Sequence, residues 1–330
     1  MSLFTKQGII SQKAFKITIF IMILAVLFYI VLSIYVGKEG LLGAFASVSL
    51  GEAVLVLVVV LFGWFLRGMR WNYYLAKSQI KEVSFWKGLK IFFASFALTL
   101  TPGKAGELVK GYFLKETPFT KTAGILFAER LMDLVAVLVL AIGFIFFDQG
   151  QLVVFLIAAV LTGLLVLMIF GQKFYQKIIS KLKNRKIVKF LEKIFGLFAV
   201  SKNLFKPDVL FLSLPVSILA WFCEGLAFYL IARFLYLDVA LLTALFIYAI
   251  ATVAGAVSMI PGGFLSAEAT MFGLLALQGI MPQAAIPLVL LFRFATVWCI
   301  PLVGFGFMLN LIGIGGRHRG QTSPQTGIRF

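Results

Sequence analysis

Two proline-glycine breaks interrupt long apolar stretches, one in each half of the chain: Thr101-Pro102-Gly103 and Ile260-Pro261-Gly262-Gly263. Each is followed shortly by an acid, Glu107 or Glu268, and further along each half an arginine, Arg130 or Arg293, stands inside another apolar stretch. Irregular backbone at membrane depth exposes N–H and C=O groups that lipid cannot satisfy, so it is buried in protein or lines a wet cavity. Interrupted apolar segments at matching positions of two halves are the sequence mark of a transporter-type substrate site.

The bilayer setting follows from composition. Of 330 residues, 62% are hydrophobic and 13% charged; a soluble domain has about 45–50% and about 25%. Continuous apolar runs such as 17–36 and 53–66 fit membrane helices and not the short alternating strands of a membrane barrel. The fold class predicted is an all-α polytopic integral membrane protein, with about six full spans plus two Pro-Gly-broken re-entrant hairpins. The first apolar stretch exceeds the ~7–15 residues of a signal-peptide core and no A-x-A site follows, so it reads as a span and not a cleaved leader.

Other functional classes fall away. Cys223 and Cys299 both lie in apolar spans, which gives neither a disulfide framework nor a metal-ligand spacing. The single histidine, His318, is in the polar C-terminal tail, which removes histidine acid-base chemistry and zinc-histidine clusters. No nucleotide-binding loop is present, and no cofactor is expected. The formal net charge of +17 is distributed between spans. That is the positive-inside pattern beside anionic lipid, not a nucleic-acid surface.

The basic loops set the topology. Lys6, Lys13 and Lys16 place residues 1–14 in the cytoplasm. Spans at 15–36 and 45–66 lead back to Arg67, Arg70, Lys77, Lys81, Lys87 and Lys90. A broken hairpin follows at 85–116, with Lys110, Lys115 and Lys121 marking a return to the same side. Spans at 121–147 and 151–171 complete a first half, 15–171. The segment 172–207 reads as a basic amphipathic helix on the inner leaflet, a pattern that a calmodulin-type target helix shares. The second half, 208–313, holds a span at 208–235, a broken hairpin at 240–280 and a last span at 283–313, before a polar tail at 314–330. On this count the whole chain is one transmembrane domain with both termini in the cytoplasm of a cell (inner) membrane. The two hairpins then insert from opposite faces, as in inverted-repeat transporters.

The charges inside these spans are the candidate site. Helices restarting after Pro102 and Pro261 present unpaired N–H groups, an anion cradle, and Lys104 adds positive charge at the first. A helix kink is the plainer alternative. Arg130, nine residues past Lys121, falls roughly 13 Å into the membrane; Arg293, ten past Gln283, roughly 15 Å from the other side. An unpaired charge there costs about 2.5–3.5 kcal/mol on insertion scales. Each arginine therefore needs a partner: Asp133 or Glu107 for Arg130, Glu268 for Arg293. Glu129 and Asp133, four apart, share a helix face. Glu224 and Glu52 either line the same cavity or sit protonated in apolar surroundings. Trp71, Tyr73, Tyr74 and Trp86 read as an interfacial belt, and Gly304 and Gly306 as points of close helix approach.

Thr101-Pro102-Gly103-Lys104-Ala105-Gly106-Glu107-Leu108, Glu129-Arg130-x-x-Asp133, Pro261-Gly262-Gly263 with Glu268, and Arg293-x-x-Thr296 form an ordered set. It resembles the flippase-like transmembrane family of the lysylphosphatidylglycerol synthases over about 15–313. The resemblance implies an integral membrane protein handling a phospholipid or glycolipid, and adds Gly106 and Thr296 to the site. In bifunctional members this region is similar to the part that moves aminoacylated phosphatidylglycerol across the bilayer. Two departures stand out. Those members carry a soluble transferase domain, whereas only a short tail follows residue 313 here. Members also often have a further glycine after Pro-Gly-Gly, where this chain has Leu265.

The leading expectation is a lipid translocator whose partner is a membrane lipid, an anionic phospholipid or glycolipid. Lys104, Arg130 and Arg293 supply positive charge, balanced by Glu107, Glu129, Asp133 and Glu268, which could also meet a cationic headgroup. The alternatives are the membrane component of a lipid-modifying enzyme such as phosphatidylglycerol lysyltransferase, working with a separately encoded synthase or transferase, and a non-catalytic scaffold.

Overall fold

The computed structural model describes residues 12–143 and 199–319, with isolated positions between 160 and 197. The expected fourth span and most of the basic amphipathic segment lie outside the described residues. All regular structure among the described residues is helical. In chain order the α-helices are α1 (Gln12–Val36), α2 (Lys38–Ser47), α3 (Leu50–Lys77), α4 (Phe85–Ser95), α5 (Lys110–Phe113), α6 (Phe119–Gly143), α7 (Pro207–Phe234), α8 (Leu241–Val257), α9 (Ser266–Leu277), α10 (Pro282–Arg293) and α11 (Cys299–Arg319). Three stretches among the described residues are long and apolar enough to cross a bilayer: α3, α7 and the continuous run Pro282–Ile312 through α10 and α11.

Lipid tails are as apolar as leucine, so helices in a bilayer associate through close packing and internal polar contacts. The α3–α7 pair shows both. Lys77 reaches Asp208, Arg70 reaches Ser217 and Trp64 reaches Glu224, so residue numbers fall along one helix as they rise along the other and the pair is antiparallel. Gly63 lets the backbones close: a Cβ there would stand 2.7 Å from the Ala220 carbonyl oxygen. Gly304 likewise admits the backbone of the turn after α4, where a Cβ would stand 2.3 Å from the Ala97 nitrogen, whereas Gly306 has open space.

The sequence places the ends of α3 wrongly in two respects. Glu52 forms a capping box with Ser49 at the helix start and takes no part in the interior. At the other end the apolar stripe does not stop at residue 66. Trp64, Arg67, Trp71 and Tyr74 recur at helical spacing on one buried face. Arg67 and Arg70 are therefore interior residues and not cytoplasmic markers. Trp71 and Tyr74 are core, while Trp86 stays 70% exposed.

Both broken segments exist, with different interiors. In the second, α8 packs against α9, and the chain between them turns through positive φ at Met259, Gly262, Gly263 and Leu265. Gly263 must be glycine twice over. Its φ is +66°, and a Cβ would stand 2.9 Å from the Gly255 Cα of α8. Leu265 also adopts φ 66°, in the region that disfavours a side chain.

In the first broken segment, α4 runs into a 3-10 turn at Phe96–Leu98. Pro102–Val109 then winds as a 3-10 helix, and only Lys110–Phe113 is α. The expected α-helical restart near Ala105 is absent because Thr101 captures the backbone: its Oγ1 accepts the Gly106 N–H at 2.6 Å and donates to the Leu98 carbonyl at 2.9 Å. Lys110, expected to face the cytoplasm, is wholly buried. Its Nζ lies 2.9 Å from Glu129 of α6 and over the faces of Trp71 and Phe92 at 4.5 and 4.7 Å.

Two outcomes in thermal unfolding of detergent-solubilised protein check these points. Gly263→Ala loses about 1–2 kcal/mol from its φ alone, with the contact on Gly255 added, whereas Leu265→Gly melts at or above wild type. Lys110→Met and Glu129→Met each lose about 3–5 kcal/mol by stranding the other charge. The double variant loses far less than the sum.

Candidate functional site

The two Pro-Gly breaks meet. The turn at Pro102–Val109 touches the turn at Pro261–Gly263, and Leu100, just before the first break, packs on Phe264, just after the second. Beside this junction opens a cavity of about 430 Å³. Its wall includes Thr99, Thr101, Gly262 and Gly263 from the breaks, and Arg130, Asp133, Arg293 and Thr296 from the helices. Arg67, Trp221, Glu224 and Tyr248 close the remaining side.

Arg130 and Asp133 lie one turn apart on α6. The Arg130 guanidinium contacts Glu107 at 3.0 Å and Asp133 at 3.4 Å, so both partners foreseen from the sequence are used at once. Glu107 also accepts from the Thr99 hydroxyl at 3.3 Å and has Lys110 at 3.7 Å. Asp133 is a crossing point: its Oδ1 accepts from Arg70 at 2.7 Å and from the Trp221 indole at 3.0 Å. Glu129 sits on the same helix but pairs with Lys110, away from the cavity wall.

The second half repeats the theme with other parts. The Nε of Arg293 donates to Glu268 at 2.7 Å and an Nη donates to the Gly262 carbonyl at 2.6 Å. The arginine thereby ties α10 both to the α9 acid and to the break itself. Tyr29 of α1 adds a hydroxyl on the same Glu268 oxygen at 2.7 Å. Arg293 closes α10, and the chain then passes through a π-helical turn at Phe294–Trp298 that contains Thr296. Such widened turns relieve the i→i−4 ladder and recur at functional positions. The Thr296 hydroxyl itself donates to the Phe292 carbonyl at 2.8 Å.

The anion-cradle expectation meets competing groups of the protein itself at both breaks. At the first, the Gly106 N–H is already given to Thr101. At the second, Glu268 occupies the first turn of α9, where its carboxylate answers the positive end of the helix. The cations on the cavity wall are the arginine side chains of Arg67, Arg130 and Arg293. The backbone at Pro102, Gly103 and Lys104 belongs to the 3-10 helix, while their side chains lie outside the described residues.

A second polar group stands on the cavity wall around Glu224, which the sequence offered as a cavity-lining acid, and Arg67, which sequence reasoning missed. Glu224, mid-way along α7, accepts from the Trp64 indole at 3.0 Å and the Tyr248 hydroxyl at 2.6 Å, and it forms an ion pair with Arg67. Arg67 in turn lies over the Trp221 ring at 4.5 Å. The signal was present in the helical spacing of Trp64, Arg67 and Trp71: an arginine on a stripe of aromatic residues faces the same interior they do. Taken together, Arg67, Arg70, Lys110, Arg130 and Arg293 interlock with Glu107, Glu129, Asp133, Glu224 and Glu268. The arrangement can hold a small polar group against guanidinium donors in an otherwise apolar chamber.

Sequence comparison bears on the whole chain. The family described as the lysylphosphatidylglycerol synthase TM region matches residues 19–304. A UPF0104 membrane protein of Methanocaldococcus jannaschii is 28% identical over 218 residues, which cover 63% of this chain and 91% of that protein. A UPF0104 membrane protein of Methanothermobacter thermautotrophicus is 21% identical over 305 residues, 85% of this chain and 90% of that protein. With its long apolar helices and buried ion pairs, the chain is a membrane protein and belongs to the lysylphosphatidylglycerol synthase TM region family.

Proposed function

We propose that this protein is a lipid translocator, moving the headgroup of a phospholipid or glycolipid across the membrane while the tails remain in lipid. The observation that carries this reading is the single cavity on which both Pro-Gly breaks and both mid-span arginines converge. A structural role alone needs the arginines paired; it does not need them to share an open chamber. Ionisable residues around an intramembrane cavity are the usual mark of a transport path.

On this reading the protein is a multi-pass protein of the cell (inner) membrane, with about six full spans and both termini cytoplasmic. The segments 85–116 and 240–280 are re-entrant hairpins inserted from opposite faces. Alternating exposure of the cavity to each leaflet carries the headgroup. Pro102, Gly103, Lys104, Gly106, Pro261, Gly262 and Gly263 form the hinge of the site. Arg130 and Arg293 attract the phosphate, and Glu107, Asp133 and Glu268 hold those arginines ready. A downhill lipid gradient or an ion gradient supplies the drive. The family's description, which names a synthase, favours one second reading: a membrane component of a lipid-modifying enzyme that works with a transferase.

Reconstitution in liposomes separates the two. Wild type scrambles a fluorescent phospholipid between leaflets, and Arg130→Ala and Glu268→Ala slow it at least tenfold. Arg130→Lys, which keeps the charge, retains part of the rate and guards against misfolding as the cause. Variants that scramble as fast as wild type sink the translocation site. A new lipid product formed from phosphatidylglycerol and a charged donor, without scrambling, supports the enzyme reading instead.

A further inference from the structure

We infer that Glu268 is a proton-binding site coupled to the cavity: it takes up a proton as a headgroup phosphate engages Arg293, so that lipid and proton travel together. This rests on the headgroup-binding reading above and goes further, because it names the coupling ion and the residue that carries it. Three features meet at Glu268. Its carboxyl is wholly buried, yet the guanidinium it holds, Arg293, stands on the cavity wall. Both of its donors, the Arg293 Nε and the Tyr29 hydroxyl, fall on Oε1. Oε2 is equally enclosed and has no hydrogen-bond partner among the described residues. A proton on Oε2 therefore displaces neither donor. It also spares the chain a buried carboxylate whose cation has turned elsewhere.

The other acids of the network lack this combination. Asp133 also has a bare oxygen, but Arg70 and Arg130 both hold it, and a proton there would strand two guanidinium groups. Glu107 answers both Arg130 and Lys110. Glu224 has donors on both oxygens, the Trp64 indole on one and the Tyr248 hydroxyl on the other. Glu129 has a bare Oε1, but its cation is Lys110, away from the cavity wall. Among the described acids Arg293 pairs with Glu268 alone. No neighbour stands in for the proton. Of the helices packed on α9, α10 brings Arg293 as its charged residue, and α8 brings Tyr248, whose hydroxyl is already on Glu224. From α1 comes the neutral Tyr29, and from the break the Gly262 carbonyl, itself on Arg293.

Charge balance calls for the proton. The five cations and five acids that interlock around the cavity cancel. A phosphodiester adds one negative charge at membrane depth, where an uncompensated charge is costly. An aqueous proton that binds Oε2 restores the balance. The O–H bond forms on the carboxyl, the Nε–H···Oε1 contact weakens, and the guanidinium turns its charge to the phosphate oxygens. Loaded and empty sites then carry the same net charge, so the coupled step senses a pH difference and not a membrane potential. By linkage, uptake of a single proton tightens binding as pH falls, by about tenfold per pH unit.

Calorimetry on the purified full chain in detergent counts the proton, with dihexanoyl-phosphatidylglycerol as the probe. Its phosphodiester does not titrate near neutral pH, so heats in buffers of different ionisation enthalpy report uptake by the protein. Wild type takes up about one proton per lipid bound, Glu268→Gln takes up none, and Glu224→Gln still takes it up. In liposomes a pH step gathers a fluorescent phosphatidylglycerol in one leaflet, whereas a potassium diffusion potential does not. The wild-type count and the pH step need no variant, so they decide the question even where Glu268→Gln melts early. Lipid that binds without proton uptake, or scrambles to equal leaflets under the pH step, overturns the inference and leaves the translocator reading standing. Uptake that persists in Glu268→Gln overturns the assignment to this residue. If the lipid neither binds saturably nor scrambles, the translocator reading falls and this inference with it.

Discussion

A bare charge cannot rest in hydrocarbon, and the structure is organised around that fact. Arg70 on α3, Arg130 and Asp133 on α6 and Trp221 on α7 meet at one carboxylate. Breaking any of these contacts strands a partner in a medium that offers no replacement. Hydrophobic packing then contributes shape and not direction, because lipid competes for every apolar surface. The ion pairs are what single out one arrangement of α3, α6 and α7 from the many that apolar helices could adopt. Lys110 extends the same logic to the short α5, which has too few turns to hold its place by packing and is pinned instead by Glu129.

The two halves solve one problem with unlike parts. In each, an acid follows a Pro-Gly break and an arginine from a later helix returns to it: Glu107 with Arg130, Glu268 with Arg293. The first break is wound as a 3-10 helix closed by Thr101, and the second turns through left-handed glycines. The strain at Leu265 shows that the second turn is imposed by its surroundings, since a leucine does not choose that backbone conformation. Contact between the two turns makes them one structural unit.

Much of this was legible in the sequence because membranes punish polar groups so heavily. Pro102, Pro261, Glu107, Arg130, Asp133, Glu268 and Arg293 stand out against apolar surroundings, and the Arg293–Glu268 and Arg130–Glu107 pairs follow from the need for partners. The second break also followed, since Pro261-Gly262-Gly263 parts α8 from α9. What escaped were charges that the sequence sets near loops. Arg67, Arg70 and Lys110 look like cytoplasmic anchors when position alone is weighed; only the aromatic stripe on α3 reveals that the helix carries its interior face past them. Trp71 and Tyr74 were misread for the same reason. The Thr101 capture of Gly106 depends on a 3-10 winding that no periodicity announces.

The Tyr29 hydroxyl on Glu268 reaches across nearly the whole length of the chain. Tyr29 carries no charge, so it shares the acid with Arg293 without cancelling any part of the ion pair. Through that one hydroxyl a helix from the opening of the sequence is fastened to the acid that follows the second break, and the knot at Glu268 joins α1, α9 and α10.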